Sequence, residues 1–355
     1  MGKSRARDAD RRPLLGITMG DPAGIGPEVV AKALASRELY RLCRPLVIGS
    51  LPVMARTIRW LKLPLNTVTV AGHEQPIGRP GQVAVSDPLK KPLGRYRMGE
   101  ASVETGVAAV AFIKKAVALA EVGCIDGIVT APINKEAINL AGCHYPGHTE
   151  LLADLTRSQE AGMMIVGGPL RIMFVTTHVA VRDLSAALTP ARIEKAIRLA
   201  DKGLREYFGV RKPKIGVAAL NPHAGESGLF GDEEVRSIGP AVRRARKAGI
   251  QASDPLPADT LFGKAVRGDY DGVVAMYHDQ GLIPLKLVAF GKCVNVTVGL
   301  PIIRTSVDHG TAYDIAGKGV ADPGSLLEAV KLAAKLASQR TANSRQRTAE
   351  KPHRE

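Results

Sequence analysis

Three histidines each follow a short run of apolar residues, at the ends of the segments FVTTH, VAALNPH and VVAMYH. They are His178, His223 and His278, and Asp279 directly follows the last of them. Imidazole nitrogens bind zinc and similar divalent ions well, and three protein ligands leave one coordination position open for a substrate. A single histidine in such a place is usually a loop residue, whereas three of them together indicate a metal centre. Asp279 could orient an imidazole or take part in acid–base chemistry.

The three histidines need strands that deliver them to one place. Each apolar run predicts a β-strand, at 171–178, 214–223 and 271–278, and helices fit between them. In open α/β sheets, ligands bind beyond the carboxyl ends of the strands, so we expect the histidines to meet at that edge. Further strands are predicted at 14–19, 45–49, 67–71, 126–132, 162–168 and 293–299, and helices at 27–36, 101–121, 190–208, 233–248, 258–266 and 324–337, with another from residue 135. This alternation implies a largely parallel sheet.

Several polar residues are suited to binding an anion. His148 and Thr149 in YPGHTE stand where a helix begins, and backbone N–H groups at a helix N-terminus favour phosphate or carboxylate. The alternative for Thr149 is simple capping of that helix. Lys286 and Arg304 lie in apolar settings, where a cation is seldom left unpaired, so each should meet either a buried carboxylate or a ligand. Asn295 lies on a strand between them.

Composition limits the function classes. The chain has 355 residues and a net charge of +15, and the two tails, residues 1–12 and 339–355, contribute +3 each, which leaves +9 for the body. Basic and aromatic residues do not alternate, so we expect no nucleic-acid binding, and a basic body also suits an anionic substrate. The four cysteines form no CxxC pair, and no apolar run approaches the length that spans a membrane. We therefore expect a cytoplasmic enzyme without a secretory signal or membrane contact.

Two glycine-rich segments, GDPAGIGPE near the start and DHGTAYDIAGKGVADPGS near the end, lack the GxGxxG fingerprint. Together with TAPINKEA, YPGHTELL, TTHVAVRD, NPHAGE, PADTLF, AMYHDQGLIPLK and NVTVGLPIIRTSV, they resemble the 4-hydroxythreonine-4-phosphate dehydrogenase (PdxA) family of vitamin B6 biosynthesis over about residues 14–337. That family is similar to isocitrate and isopropylmalate dehydrogenases. The segment HGTAYDIAGKGVADP of this chain resembles the adenosine-binding loop of those enzymes. The resemblance accounts for the missing GxGxxG fingerprint, because enzymes of that fold bind NAD through a different loop.

The resemblance implies an α/β fold of the isocitrate dehydrogenase type, with two lobes around a central cleft. Lobe 1, with the cofactor, would comprise residues 13–140 and 300–338. Lobe 2, residues 141–299, would hold the metal and substrate and form a homodimer whose subunits share the active site. The basic tails, residues 1–12 and 339–355, depart from the family pattern and are expected to be disordered.

The resemblance also assigns roles to residues at matching positions. The metal ligands would be His178, His223 and His278. The substrate-binding residues would be His148, Thr149, Lys286, Asn295 and Arg304. The residues beside the cofactor would be His309, Gly310, Thr311 and Asp314.

The implied reaction is oxidation of the secondary hydroxyl of 4-phosphooxy-L-threonine by NAD or NADP, with one divalent metal (zinc, magnesium or cobalt) per subunit. Loss of CO₂ from the resulting β-keto acid would yield 3-amino-2-oxopropyl phosphate. A base must remove the hydroxyl proton while hydride leaves, and Lys286, Asp259 and Asp279 are the candidates that the sequence does not rank.

Other activities remain open. PINKEA, YPGHTELL and HDQGLIPLK look more like a second branch of the family, which includes 4-phospho-D-threonate and erythronate dehydrogenases and cis-dihydrodiol dehydrogenases of terephthalate breakdown. Phosphate acyltransferases have a related fold, but they need neither the three histidines nor NAD. Nucleic-acid binding rests on net charge alone.

Overall fold

The computed structural model describes residue 10, residues 12–71, residue 76 and residues 78–349, with side chains through Thr341. The strands are β1 (Leu14–Thr18), β2 (Arg44–Ile48), β3 (Asn66–Thr69), β4 (Gln82–Ser86), β5 (Gly127–Thr130), β6 (Gly162–Gly167), β7 (Leu170–Phe174), β8 (Lys214–Ala218), β9 (Gln251–Leu256), β10 (Gly272–Ala275), β11 (Val294–Val298) and β12 (Arg304–Ser306).

The helices are α1 (Gly26–Leu34), α2 (Leu39–Leu42), α3 (Leu51–Trp60), α4 (Val103–Glu121), α5 (Lys135–Leu140), α6 (His148–Leu155), α7 (Leu184–Ala187), α8 (Pro190–Glu206), α9 (Gly239–Lys247), α10 (Ala258–Val266), α11 (His278–Ala289) and α12 (Gly324–Ala349). Over the described residues the chain divides into two compact units. Unit 1 runs to Arg157 and continues from Pro301 to Ala342, and unit 2 holds Ser158–Leu300 and the residues from Asn343 onward.

Unit 1 contains a parallel array of strands in the order β3-β4-β2-β1-β5-β12. The central strands β1 and β5 are buried along their whole length, as expected for strands that are covered on both faces. Helix α4 packs against β1, β2 and β5. Its start is set by Ser102, whose side chain accepts a hydrogen bond from the backbone N–H of Thr105 at 3.2 Å.

Unit 2 has the strand order β11-β6-β7-β10-β8-β9. Strands β7, β10, β8 and β9 are parallel, whereas β6 is antiparallel to both β7 and β11. The antiparallel pair arises because only Gly168 and Pro169 separate β6 from β7, which is too short for a parallel crossover. The core beneath these strands is aliphatic, with Ile172, Val273, Leu261 and Leu285 all nearly inaccessible. The predicted α/β class and the largely parallel arrangement agree with both units.

Helix α11 is absent from the sequence-based prediction. It contains Pro284, and apolar residues occur on two of its faces: Leu282 and Leu285 are buried, whereas Ile283 and Leu287 are exposed. A helix that is apolar on two faces has no helical period in its hydrophobicity, and an internal proline argues against a helix, so both sequence signals failed here.

Some predicted boundaries differ from the structure. Residues 141–157 belong to unit 1, because α6 packs against α4 of that unit. Helix α12 ends at Ala349 rather than near residue 337, since residues 338–349 contain no glycine or proline to stop it. Arg12, in the expected N-terminal tail, bonds to the carbonyl oxygens of Tyr40 and Gly78. Residues 1–9, 11 and 350–355 of the two tails lie outside the described part of the chain.

Among the described residues, no helix has the length and apolar character that crossing a membrane requires.

Candidate active site

The three predicted histidines follow the carboxyl ends of three neighbouring parallel strands of unit 2. His178 comes after β7, His278 after β10 and His223 after β8, and these strands are adjacent in that order. Beyond β7 and β10 the chain continues side by side. The N–H of Thr176 donates to the carbonyl oxygen of Met276 at 3.2 Å, and its hydroxyl donates to the same oxygen at 2.7 Å. This extension places the rings of His178 and His278 beside each other, with centroids 6.0 Å apart.

His278 opens helix α11 and is oriented by its neighbour. Its Nδ1 lies 2.6 Å from Oδ1 of Asp279, so the carboxylate holds the ring and leaves Nε2 available as a ligand atom. Gln280, which the sequence analysis missed, fixes the start of this helix. Its side chain accepts from the N–H of Met276 at 2.7 Å and donates to the carbonyl oxygen of Ala219 at 2.6 Å, which joins the ends of β10 and β8. The run of polar residues after the strand, HDQ, was the available signal.

His223 is placed differently. It is exposed, it begins a stretch of left-handed backbone, and its ring lies 6.1 Å from that of Phe230. Among the described residues of this single chain, no three His, Cys, Asp or Glu side chains lie close enough together to hold a metal ion. The structure therefore brings His178 and His278 together as two imidazole donors, which suits a borderline metal. It does not bring His223 into the same group.

Arg304, at the start of β12 in unit 1, is only 2% exposed. It donates to the hydroxyl oxygen of Thr130, from Nε at 3.2 Å and from Nη2 at 2.8 Å. Burial lowers the pKa of its guanidinium and the charge of Glu150 opposes that effect, but a guanidinium stays protonated in proteins. Thr130, at the end of β5, was not predicted as part of any site.

His148 is the first residue of α6, and its Nε2 is buried with no hydrogen-bond partner among the described residues. Burial, followed by the positive charge of Arg304, holds the pKa of His148 well below its usual range, so the imidazole is neutral. An orphaned buried ring nitrogen is costly unless a ligand satisfies it. The residue that caps α6 is Gly147, so the alternative that Thr149 only caps this helix is wrong.

The other predicted substrate residues, Lys286 and Asn295, lie in unit 2. Lys286 is half-buried in the last turn of α11. Asn295 lies on β11 opposite Ile165, and its Oδ1 is buried with no hydrogen-bond partner in the described part of the chain. Of the three candidate bases, Asp279 is bonded to His278, and Asp259 is exposed and accepts from the N–H of Thr260 at 2.9 Å.

The residues predicted to lie beside the cofactor are on the loop between β12 and α12. His309, Gly310 and Asp314 are exposed, and Thr311 is buried. A Cβ at Gly310 would meet no atom within 4 Å, so the loop has open space beside it. Exposed backbone, an imidazole and a carboxylate can bind the phosphates and ribose hydroxyls of a dinucleotide.

This loop is joined to the glycine-rich segment that follows β1. The N–H of Ile25 donates to the carbonyl oxygen of Thr311 at 3.0 Å, and the N–H of Ala321 donates to the Glu28 carboxylate at 2.8 Å. Lys32 donates to the carbonyl oxygens of Gly319 and Ala321 and to Glu28. Each segment alone was a weak signal in the sequence, and only the tertiary structure shows that they form one assembly.

A family model described as pyridoxal phosphate biosynthetic protein PdxA matches residues 41–333 of the chain. The chain belongs to the PdxA family. The resemblance predicted from the motifs is therefore confirmed.

Individual PdxA relatives cover nearly the whole chain. A 4-hydroxythreonine-4-phosphate dehydrogenase of Desulfosudis oleivorans is 48% identical over 333 residues, which is 91% of this chain and 95% of the relative. A D-threonate 4-phosphate dehydrogenase of Cupriavidus necator is 47% identical over 333 residues, 94% of this chain and 99% of the relative. The crystal structure of 4-hydroxythreonine-4-phosphate dehydrogenase from Klebsiella pneumoniae superimposes with a TM-score of 0.86 at 43% identity, covering 92% of this chain and 99% of that one.

The two relatives bear different substrate names at almost the same identity, so overall similarity does not choose between them. All three are named as dehydrogenases of phosphorylated small molecules, which agrees with the class of enzyme predicted from the sequence. The Klebsiella structure also confirms the predicted α/β fold class.

Proposed function

We propose that this chain is a metal-dependent, NAD(P)-linked dehydrogenase that oxidises the secondary hydroxyl of 4-phosphooxy-L-threonine, with loss of CO₂ to give 3-amino-2-oxopropyl phosphate. The observation that carries the proposal is the pair formed by Arg304, a buried cation, and His148, whose buried Nε2 has no partner among the described residues. A guanidinium is suited to bind a phosphate or carboxylate oxygen, and a substrate group would satisfy the ring nitrogen. The names of the relatives support a phosphorylated substrate.

His178, His223 and His278 would hold the metal, with Asp279 orienting His278 through the 2.6 Å contact. The metal, when bound, lowers the pKa of a coordinated hydroxyl and polarises an adjacent carbonyl. The adjacent rings of His178 and His278 fit two sites of one ion, and their donor type fits zinc or cobalt. We propose that the metal site is shared between two subunits of a homodimer, as the resemblance to the PdxA family implies.

Lys286 would accept the hydroxyl proton as hydride passes to the cofactor. Of the other two candidates, Asp279 lies against the His278 imidazole, and Asp259 accepts from the N–H of the residue that follows it. Thr149 and Asn295 would complete the substrate contacts, and the orphaned Oδ1 of Asn295 is suited to accept from a substrate ammonium or hydroxyl group. His309, Gly310, Thr311 and Asp314 would bind NAD or NADP.

A homodimer is part of the proposal, and the exposed side of α11 supports it. Ile283, Leu287 and Phe290 recur at the spacing of one helix face and are 60%, 82% and 82% exposed. This face belongs to the helix that begins with His278, so a second copy seated there would lie close to the proposed metal ligands. Leu287→Glu should dissociate the dimer in light-scattering measurements, whereas Val122→Glu, on another exposed apolar residue, should not.

The deciding experiment is a substrate panel that follows NADH or NADPH formation, run with and without a chelator. The panel holds 4-phosphooxy-L-threonine, 4-phospho-D-threonate, 4-phospho-D-erythronate and a terephthalate cis-dihydrodiol. Preference for the first substrate, lost on chelation, supports the proposal. Preference for a phosphorylated sugar acid would move the chain to the second branch, which the Cupriavidus relative represents. If the protein oxidises none of the phosphorylated hydroxy acids, the proposed function is overturned.

Two simpler measurements distinguish the proposed dehydrogenase from a phosphate acyltransferase. They are the metal content of the purified protein and a titration with NAD. Binding of neither metal nor NAD would favour the acyltransferase.

A further inference from the structure

The backbone around His223 has an unusual conformation. Five consecutive residues, 223–227, have φ between 42° and 79°, in the left-handed region, and only Gly225 among them is a glycine. L-residues enter this region singly because Cβ then approaches the next carbonyl oxygen, and a run of them persists only where its surroundings hold it. Strain of this kind concentrates at functional sites, and His223 is the first residue of the run.

The main contacts that stabilise this left-handed run are made by the carboxylate of Glu234, which is 7% exposed. Its Oε1 accepts from the backbone N–H groups of Leu220 and Asn221, at 2.8 and 2.9 Å. Its Oε2 accepts from the side-chain amide of Asn221 at 3.0 Å. The carboxylate thus fixes the two residues through which the chain passes from β8 into the left-handed run.

Two glycines let the backbone lie directly against these groups. A Cβ on Gly225 would be 2.7 Å from Oε2 of Glu234, and one on Gly231 would be 2.5 Å from the amide nitrogen of Asn221. The N–H of Phe230 donates to the carbonyl oxygen of Gly225 at 3.2 Å, which closes the loop. The loop is therefore built around the Glu234 carboxylate, with no room for a larger residue at either glycine.

A second carboxylate, that of Glu233, also accepts a hydrogen bond from Asn221. Glu233 accepts from the Asn221 amide at 2.7 Å and also from the hydroxyl of Ser185 and from Arg236. The Asn221 amide therefore donates to both glutamates. Because Asn221 lies two residues before His223, side chains of the segment that leads into α9 fix the chain just before this histidine.

We infer that Glu234, acting with Asn221, is a positioning residue that holds His223 at the carboxyl end of β8 in the orientation its ligand role needs. The inference rests on the proposed metal-binding function of His223. Glu234 would act through the backbone of Leu220 and Asn221, and not by binding the metal or the substrate itself. Loss of its carboxylate leaves the N–H groups of Leu220 and Asn221 without acceptors, and the run relaxes toward the right-handed conformations that its four non-glycine residues prefer.

The first test uses the metal-free protein and needs no activity. Hydrogen–deuterium exchange of peptides covering residues 220–230 should be faster in Glu234→Ala than in wild type, and intermediate in Glu234→Gln, which keeps one acceptor oxygen. The matched control is Asp232→Asn, which also removes a carboxylate from this segment but at an exposed position. Unchanged exchange in both Glu234 variants would overturn the inference.

The second test is a double-mutant cycle on the affinity for Co²⁺, followed by its visible absorption. Glu234→Ala should raise the Kd for Co²⁺ about ten- to a hundredfold, the range for residues that orient a ligand. In the His223→Ala background the same change should have no further effect, because Glu234 acts only through that histidine. A general structural role would weaken binding equally in both backgrounds and would overturn the inference. If Glu234→Ala fails to fold, Glu234→Gln takes its place in the cycle.

The two tests separate this inference from the function on which it rests. If His223→Ala leaves Co²⁺ affinity unchanged, the metal role of His223 is wrong, and the inference is overturned with it. If His223→Ala weakens Co²⁺ binding but neither Glu234 variant does, the proposed function stands and the inference alone is overturned.

Discussion

The phenol of Tyr313 donates a hydrogen bond of 2.6 Å to Oδ2 of Asp21, a residue 292 positions earlier in the chain. Asp21 is inaccessible to solvent, and its Oδ1 accepts from the N–H of Ala23 at 2.8 Å. Burial raises the pKa of Asp21, and the hydrogen bonds from Tyr313 and Ala23 oppose that effect. One buried carboxylate thus joins the two glycine-rich segments, so the loop proposed to bind the cofactor depends on a residue at the start of the chain.

Tyr313→Phe should therefore destabilise unit 1 by about 1–3 kcal/mol, because it leaves a buried carboxylate oxygen without its donor. It should also weaken NAD binding, since the loop loses an anchor. Urea unfolding and a cofactor titration would measure both effects. Tyr145→Phe is the control, because Tyr145 donates to an exposed carboxylate, that of Asp154, at 2.7 Å. Equal losses in the two variants would contradict the expectation.

Arg304→Met should weaken the binding of phosphorylated substrates at least about tenfold, or about 1.4 kcal/mol, because it removes the buried cation. Arg304→Lys should recover only part of that affinity, since an ammonium cannot reproduce the planar fork that contacts Thr130. Isothermal titration with 4-phosphooxy-L-threonine measures both variants. Arg340→Met, on an exposed residue of the same unit, should bind like wild type. Wild-type affinity in Arg304→Met would exclude this arginine from the anion site.

The Glu233 carboxylate should make stability depend on pH in acid. The hydrogen bond from Ser185, then those from Asn221 and Arg236, lower its pKa from 4.5 to about 2, against the opposing effect of burial. A depressed carboxyl pKa adds stability that is fully present above pH 4.5 and is lost as the pH falls toward about 2.

Glu233→Gln should therefore flatten the fall in the free energy of unfolding over that window, as measured by urea unfolding at several pH values. Val235→Ala, at a nearby exposed position that carries no titratable group, should leave the slope unchanged. A slope that is the same in Glu233→Gln and wild type would show that this carboxyl group does not contribute to acid sensitivity.

Gly106 in α4 faces α5 at very close range, since a Cβ there would lie 1.9 Å from the carbonyl oxygen of Ala137. Gly106→Ala should cost at least about 2 kcal/mol even though alanine favours helices, because the two helices must move apart. Thermal unfolding would detect a lowered Tm. Val107→Ala, one residue along and half exposed, should change the Tm little. A stabilised Gly106→Ala would mean that helix propensity outweighs the close packing.

Local sequence was enough to predict several parts of this protein. The apolar runs that end in His178, His223 and His278 predicted strands in the right places, because hydrophobic runs report burial directly. The Pro190–Glu206 and Ala258–Val266 helices likewise have the period and the start signals of their class. The motifs also identified the PdxA family. These properties depend on residues that are neighbours in the chain, so the sequence by itself determined them.

The tertiary structure decided what those residues do to one another. It placed the rings of His178 and His278 side by side, left His223 on a left-handed run, and joined Asp21 to Tyr313 across nearly the whole chain. It also showed that Glu234 accepts hydrogen bonds from the N–H groups of Leu220 and Asn221, just before that run. Each of these relationships depends on strand order and on which buried polar atoms meet, and residue type and spacing along the chain do not encode that information.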